Sequence, residues 1–194
     1  MTPQATHAGP AIRHAIRGAL LLARGRAEGL ALIAVRPEEE RRWAVSSFWA
    51  MALCLPAFLC LHLMDWATLG LPAAPVAALA GDLMASLVAW LGFAVFSHEL
   101  VHAARRDGHW LRFLAVWNWC NFVQYLLLLV ASVPAVLGLP DALVQTAWLV
   151  GWGWALWLEW YATRLALDIP GMSAACLVGL DFAIGVFAAG LATL

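Results

Sequence analysis

The sequence predicts an all-α integral membrane protein, a bundle of about five transmembrane helices preceded by an N-terminal cytoplasmic or interfacial amphipathic helix. Three observations carry this. Of 194 residues, 64% are hydrophobic and only 12% are charged, against roughly 25% charged in a soluble domain; too few charges exist to coat a globule in water. The apolar residues fall in long unbroken runs, which lipid explains and a small buried core does not. The basic residues, all arginine, segregate along the chain: seven precede Trp43, and the other four are Arg105, Arg106, Arg112 and Arg164.

In chain order, residues 1–10 read as a mobile tail, and the arginines that follow interrupt any apolar core of a cleaved signal peptide. Over residues 11–35, Arg13, Arg17 and Arg24 share one helical stripe, with Ile12, Ile16, Leu20 and Ala23 on a neighbouring apolar stripe. Two settings fit: a helix lying on an anionic leaflet with those arginines at lipid headgroups, or a cytoplasmic helix docked on the bundle. Arg36-Pro37-Glu38-Glu39-Glu40 has a proline suited to a first helical position and acids suited to the positive end of a helix dipole. Residues 1–42 therefore form a cytoplasmic segment and 43–194 the membrane domain.

Five spans are expected in that domain, over 44–66, 76–97, 113–133, 142–163 and 172–194. Pro56 should kink the first. The connections are Gly70–Pro75, the polar stretch His98–Trp110, Pro134–Asp141 and Leu167–Gly171. With this layout every arginine lies on one side of the membrane. The positive-inside rule makes that side cytoplasmic, which places the N-terminus in the cytoplasm and the C-terminus outside it. Trp43, Trp66, Trp110 and Trp148 fall near span ends, as an aromatic belt requires. Trp152, Trp154, Trp157 and Trp160 crowd the fourth span, where packing or lipid contact is expected ahead of a ligand pocket. Gly151 and Ala155 make one small-xxx-small step there. Cys54, Cys60, Cys120 and Cys176 lie inside apolar runs without a CxxC pair and read as packed thiols.

Polar groups at depth in lipid usually face a partner or a cavity. Asn118, Asn121 and Gln124 of the third span, spaced by three, face one arc, and with Glu159 of the fourth span and Asp181 of the fifth they fall in the cytoplasmic half at about 1.5 Å rise per residue. They form a candidate polar chamber open to the cytoplasm, for a small polar solute, an ion or a proton; for the amides, interhelical bonding that fixes the bundle is the favoured reading. Asp82 and His62 lie nearer the outer side and read as single satisfied contacts.

His98-Glu99-Leu100-Val101-His102 is a literal HExxH. On a helix both imidazoles share a face and could bind one Zn²⁺, with Glu99 as the base that polarises a metal-bound water. A third ligand is required. Glu159 resembles the downstream glutamate of some integral membrane zinc proteases, although no aspartate follows it. Asp168 in Leu167-Asp168-Ile169-Pro170-Gly171 faintly resembles the LDG motif of site-2 proteases with the glycine displaced.

Several segments together, Arg42-Trp43 through Phe58, Trp117–Tyr125, Leu158–Leu167 and Leu177–Gly185, resemble an uncharacterised family of small bacterial inner-membrane proteins of Yip1-like topology. The resemblance implies a five-helix membrane fold with a cytoplasmic N-terminus in the bacterial inner membrane. It implies no activity, and HELVH does not belong to its pattern. The expectation is thus a non-enzymatic polytopic protein that needs no cofactor. Its partners are the lipid bilayer and another membrane protein or a second copy, with no nucleic acid. A zinc metalloprotease using His98, His102 and Glu159 is the alternative.

Overall fold

The computed structural model describes residues 8–33 and 40–192. These form eight helices and no strand: α1 Ala8–Leu22, α2 Gly29–Ile33, α3 Glu40–Ser47, α4 Trp49–Leu69, α5 Pro75–Ala103, α6 Asp107–Val136, α7 Asp141–Leu167 and α8 Gly171–Ala192. Four stretches are long and apolar enough to cross a membrane: Ala44–Leu69, Pro75–Ala103, Asp107–Val136 and Gly171–Leu191. Helix α7 is as long but is diluted by tryptophan, glycine, Gln145, Thr146 and Glu159. Of the expected tail, residues from Ala8 onward are already helical; residues 1–7 and the helix start at Arg36–Glu39 lie outside the described residues.

Except for the central helix α6, each long helix turns a narrow stripe inward and leaves large apolar side chains outside. In α4 the inward stripe is Ala50, Cys54, Ala57 and Phe58; in α7 it runs Gly151, Ala155, Leu158, Glu159, Ala162 and Thr163. Both follow the spacing of one helical face. Leu63, Val88, Val95, Val130, Leu149 and Phe187 are exposed instead. An apolar exterior of this extent suits hydrocarbon rather than water. Two cysteines, Cys54 and Cys120, pack inside, whereas Cys60 and Cys176 lie on the exterior.

Helix α6 is the centre of the bundle. Its run Phe113–Cys120 is buried throughout, and α3, α4, α5, α7 and the N-terminal helices pack around it. Helix α7 lies antiparallel to it along its length: Arg112 donates from Nε to the Ala166 carbonyl at 2.8 Å, Gln124 Nε2 donates to the Ala155 carbonyl at 2.8 Å, and Ala131 meets Gly151. A Cβ on Gly151 would stand 2.7 Å from the Ala131 Cβ, so the small-xxx-small step is a close helix contact. Helix α8 packs on α7 and α5 and completes the ring.

The polar stretch after the second apolar run is mostly helix rather than loop. Helix α5 continues to Ala103, and only three residues, with Arg105 left-handed at φ 56°, separate it from α6. At the other turn of this end Asp168 takes the left-handed conformation, φ 52°, that ends α7, and its carboxylate pairs with Arg106 at 3.3 Å.

The N-terminal helices form a hairpin that docks on α6 and along α7 from Tyr161 to Trp154, the middle of that helix. The buried face of α1 is Ala15, Gly18, Ala19 and Leu22, not the expected stripe of Ile12, Ile16 and Leu20; of that stripe only Ala23 is buried. Small residues win because α1 and α2 cross in near backbone contact: a Cβ on Gly29 would lie 2.3 Å from the Gly18 carbonyl oxygen. Trp154 Nε1 donates to the Ala23 carbonyl and the Tyr161 hydroxyl to the Gly25 carbonyl, both at 2.9 Å. Arg13, Arg17 and Arg24 point away from the bundle and are exposed.

Candidate functional site

All five long helices wall one cavity of about 780 Å³. It is lined by Phe58 and His62 of α4, by Asp82, Ser86 and Trp90 of α5, and by Trp117, Asn121, Gln124 and Tyr125 of α6; Trp152 and Glu159 of α7 and Asp181, Phe182 and Gly185 of α8 complete it. In α5 the inward polar groups Asp82, Ser86 and Trp90 are four residues apart, one stripe of a helix. That stripe is a signal the sequence carried.

Two acid-containing pairs stand in this cavity. The Glu159 and Asp181 carboxyls are neighbours, and two carboxyls side by side favour holding one proton between them. Asp181 Oδ2 also accepts from Trp117 Nε1 at 3.0 Å, and Glu159 Oε2 accepts from Gln124 Nε2 at 3.4 Å. Glu159 is only 5% exposed. Its Oε1 is buried and receives no hydrogen bond from a protein N–H or hydroxyl. Trp119 Nε1 is likewise unpartnered but faces elsewhere.

The second pair joins α4 to α5. His62 Nδ1 meets the Phe58 carbonyl at 2.9 Å, and Nε2 meets Asp82 Oδ2 at 3.2 Å. A carbonyl can only accept, so Nδ1 carries a hydrogen; the second contact then needs another proton, on Nε2 or on Asp82. Read from the sequence as two isolated contacts, His62 and Asp82 are instead partners of one another in the same cavity as Glu159. Nothing local to either segment announces that α4 and α5 bring them together.

The five-residue cluster expected from the sequence divides. Asn121, Gln124, Glu159 and Asp181 line the cavity. Asn118 does not: it is fully buried, accepts from Trp90 Nε1 at 2.7 Å and donates to Ser47 Oγ at 2.7 Å. It ties α6 to α5 and α3. The tryptophans of α7 divide as well. Trp154 and Trp160 hydrogen-bond to backbone carbonyls, the latter to Gly171 at 2.8 Å, and Trp157 stacks on Tyr161. Trp152 alone of the four lines the cavity, edge-on to Phe182.

The HELVH residues are on a helix, as expected, but Glu159 does not join them. His98 and His102 are exposed at the end of α5. His98 lies edge-on to Trp110 and 3.4 Å from Glu99, and His102 Nδ1 is 2.6 Å from Asp107 Oδ1. Glu159 is turned into the α6–α8 interior. Among the described residues no three His, Cys, Asp or Glu side chains are placed to hold one metal ion. The expected ligand set His98, His102 and Glu159 is therefore not brought together; Glu99 lies beside His98 at the exposed end of α5. Asp168 is engaged with Arg106 instead.

No family model, no curated protein and no solved structure matches this chain.

Proposed function

We propose that the chain is a five-crossing membrane protein whose central cavity binds a small solute of positive or polar character, in a bacterial inner membrane with the N-terminus in the cytoplasm and the C-terminus in the periplasm. The observation that carries this is the buried Glu159–Asp181 pair facing a cavity to which all five long helices contribute. Two neighbouring carboxyls at that depth are costly in hydrocarbon, which favours a functional reading over helix bonding alone.

The register of α7 against α6 supports a fifth crossing. With 27 residues, α7 is about 40 Å long, more than the roughly 30 Å of hydrocarbon. Lying antiparallel along α6, it returns across whatever α6 crosses. Its low hydropathy stems partly from Glu159, Trp154 and Trp160, which are turned to protein partners. Orientation rests on the arginines. Arg112 bonds the end of α7 and Arg106 the α7–α8 turn, so these basic groups gather at one end of the bundle; the hairpin loop that carries Arg24 and Arg26 meets Tyr161 and, at mid-helix, Trp154.

The test is water access. In a background lacking native cysteines, Ala89→Cys and Gly185→Cys on the cavity wall should react with a hydrophilic thiol reagent, and Val88→Cys on the apolar exterior should not. Equal inertness of all three would sink a solute-binding cavity.

A further inference from the structure

The cavity combines two features that together select a ligand class: an acidic pair and a wall of aromatic rings. Two carboxyls side by side, as Glu159 and Asp181 are, favour holding one proton between them, which leaves one negative charge. The His62–Asp82 pair stands further along the cavity. Among the described residues no arginine lines the space. The indoles of Trp90, Trp117 and Trp152 and the ring of Phe182 border the same volume, and Trp90 lies edge-on to Trp117 with centroids 5.8 Å apart. A bare metal cation would need about six or more oxygen ligands converging at short distance; this wall offers rings and methyl groups instead. A volume of about 780 Å³ is that of a site for a drug-sized molecule, and aromatic faces attract desolvated organic cations.

We propose that the occupant is a hydrophobic organic cation, an ammonium or phosphonium bearing aromatic or bulky apolar groups, whose charge sits at Glu159 and Asp181 in exchange for the proton those carboxyls share. This rests on the solute-binding reading of the same cavity and names its substrate class. The exchange balances: one proton leaves the pair for solvent, the pair passes from one negative charge to two, and the bound cation restores the sum. No covalent bond other than that O–H is broken. The titratable groups facing the pair are Tyr125 and Cys120 of α6, with Asp82 of α5 and His62 of α4 further along the cavity.

The experiment uses the purified full chain in detergent, with tetraphenylphosphonium as the cationic probe and triphenylphosphine oxide as a neutral one of similar shape. Wild type should bind about one tetraphenylphosphonium per chain. Where the proton is displaced, a one-proton exchange tightens binding about tenfold per pH unit as pH rises, and an indicator dye in weak buffer should register one proton released per cation. The Glu159→Gln/Asp181→Asn double variant should lose cation affinity by a hundredfold or more and release no proton, while the neutral probe still binds. Gly185→Leu is the second variant: a side chain there meets no atom within 4 Å, so it fills cavity space without a clash and should weaken both probes. Cation binding that is unchanged in the double variant, or that releases no proton from wild type, overturns the proposal but leaves a solute cavity standing. Failure of folded wild type to bind either probe overturns the cavity reading itself.

Discussion

Replacing Asn118 separates structural from functional polarity inside the bundle. Its side chain accepts from Trp90 Nε1 and donates to Ser47 Oγ, both at 2.7 Å, and is fully buried. Interhelical hydrogen bonds in membrane proteins average about 0.6 kcal/mol each, so two make about 1.2 kcal/mol. In Asn118→Ala the Trp90 N–H also loses its acceptor at a site where Trp90 is only 8% exposed; a buried orphaned donor costs about 1–3 kcal/mol. Ser47 loses less, because its hydroxyl keeps the Ala44 carbonyl at 2.6 Å. A destabilisation of about 2–3 kcal/mol is expected. Reversible unfolding in mixed micelles measures it, and a double-mutant cycle with Trp90→Phe should return a coupling of about 0.6–1.7 kcal/mol. Binding of the cationic probe to the folded fraction should be unchanged. A stability within about 0.3 kcal/mol of wild type with no coupling to Trp90, or a loss of binding without a loss of stability, would refute the assignment of Asn118 to the scaffold.

Two further predictions follow from the same geometry. Gly29→Ala forces a methyl against the Gly18 carbonyl oxygen and within 3.0 Å of the Leu22 nitrogen; overpacking of this kind costs about 1–3 kcal/mol, so the hairpin should open and trypsin should cut at Arg24 and Arg26 faster than in wild type, whereas unaltered cleavage would show that α1 and α2 do not cross as described. The zinc content of the purified protein should not depend on His98 or His102, and a stoichiometric zinc that His98→Ala removes would restore the protease alternative.

What was legible in the sequence is what depends on local pattern. The long helices coincide with the apolar runs, and HELVH is helical with its histidines one turn apart. Gln124, Asn121, Glu159 and Asp181 could be placed at one level from rise per residue alone, and they do share a cavity. What was not legible depends on rotation and on partners. Asn118 and Gln124 are six residues apart, which turns their side chains about 120° from each other around α6; the single arc expected for Asn118, Asn121 and Gln124 therefore splits, with Asn118 turned to Trp90 and Ser47. The His62–Asp82 pair requires knowing that α4 faces α5 across the cavity. The buried stripe of α1 is shifted by one position from the most apolar one, because crossing distance at Gly18 and Gly29 outweighed hydropathy. A hydropathy average likewise underrates α7, whose least apolar residues are turned to protein partners rather than to lipid. Glu159 suited the third position of a zinc site by sequence order, yet its helix face aims it at α6 and α8 rather than at the end of α5.

The five-crossing account makes the two ends of the chain lie on opposite sides of the membrane, and with them the floor of the cavity falls at Glu159 and Asp181. A fluorescent protein fused ahead of Met1 and, separately, after Leu194 in a bacterial host measures this directly. Fluorescence from the first fusion and none from the second, with alkaline phosphatase active in the second position, is the expected result. Fluorescence from both would place α7 outside the crossing helices and contradict the five-crossing account.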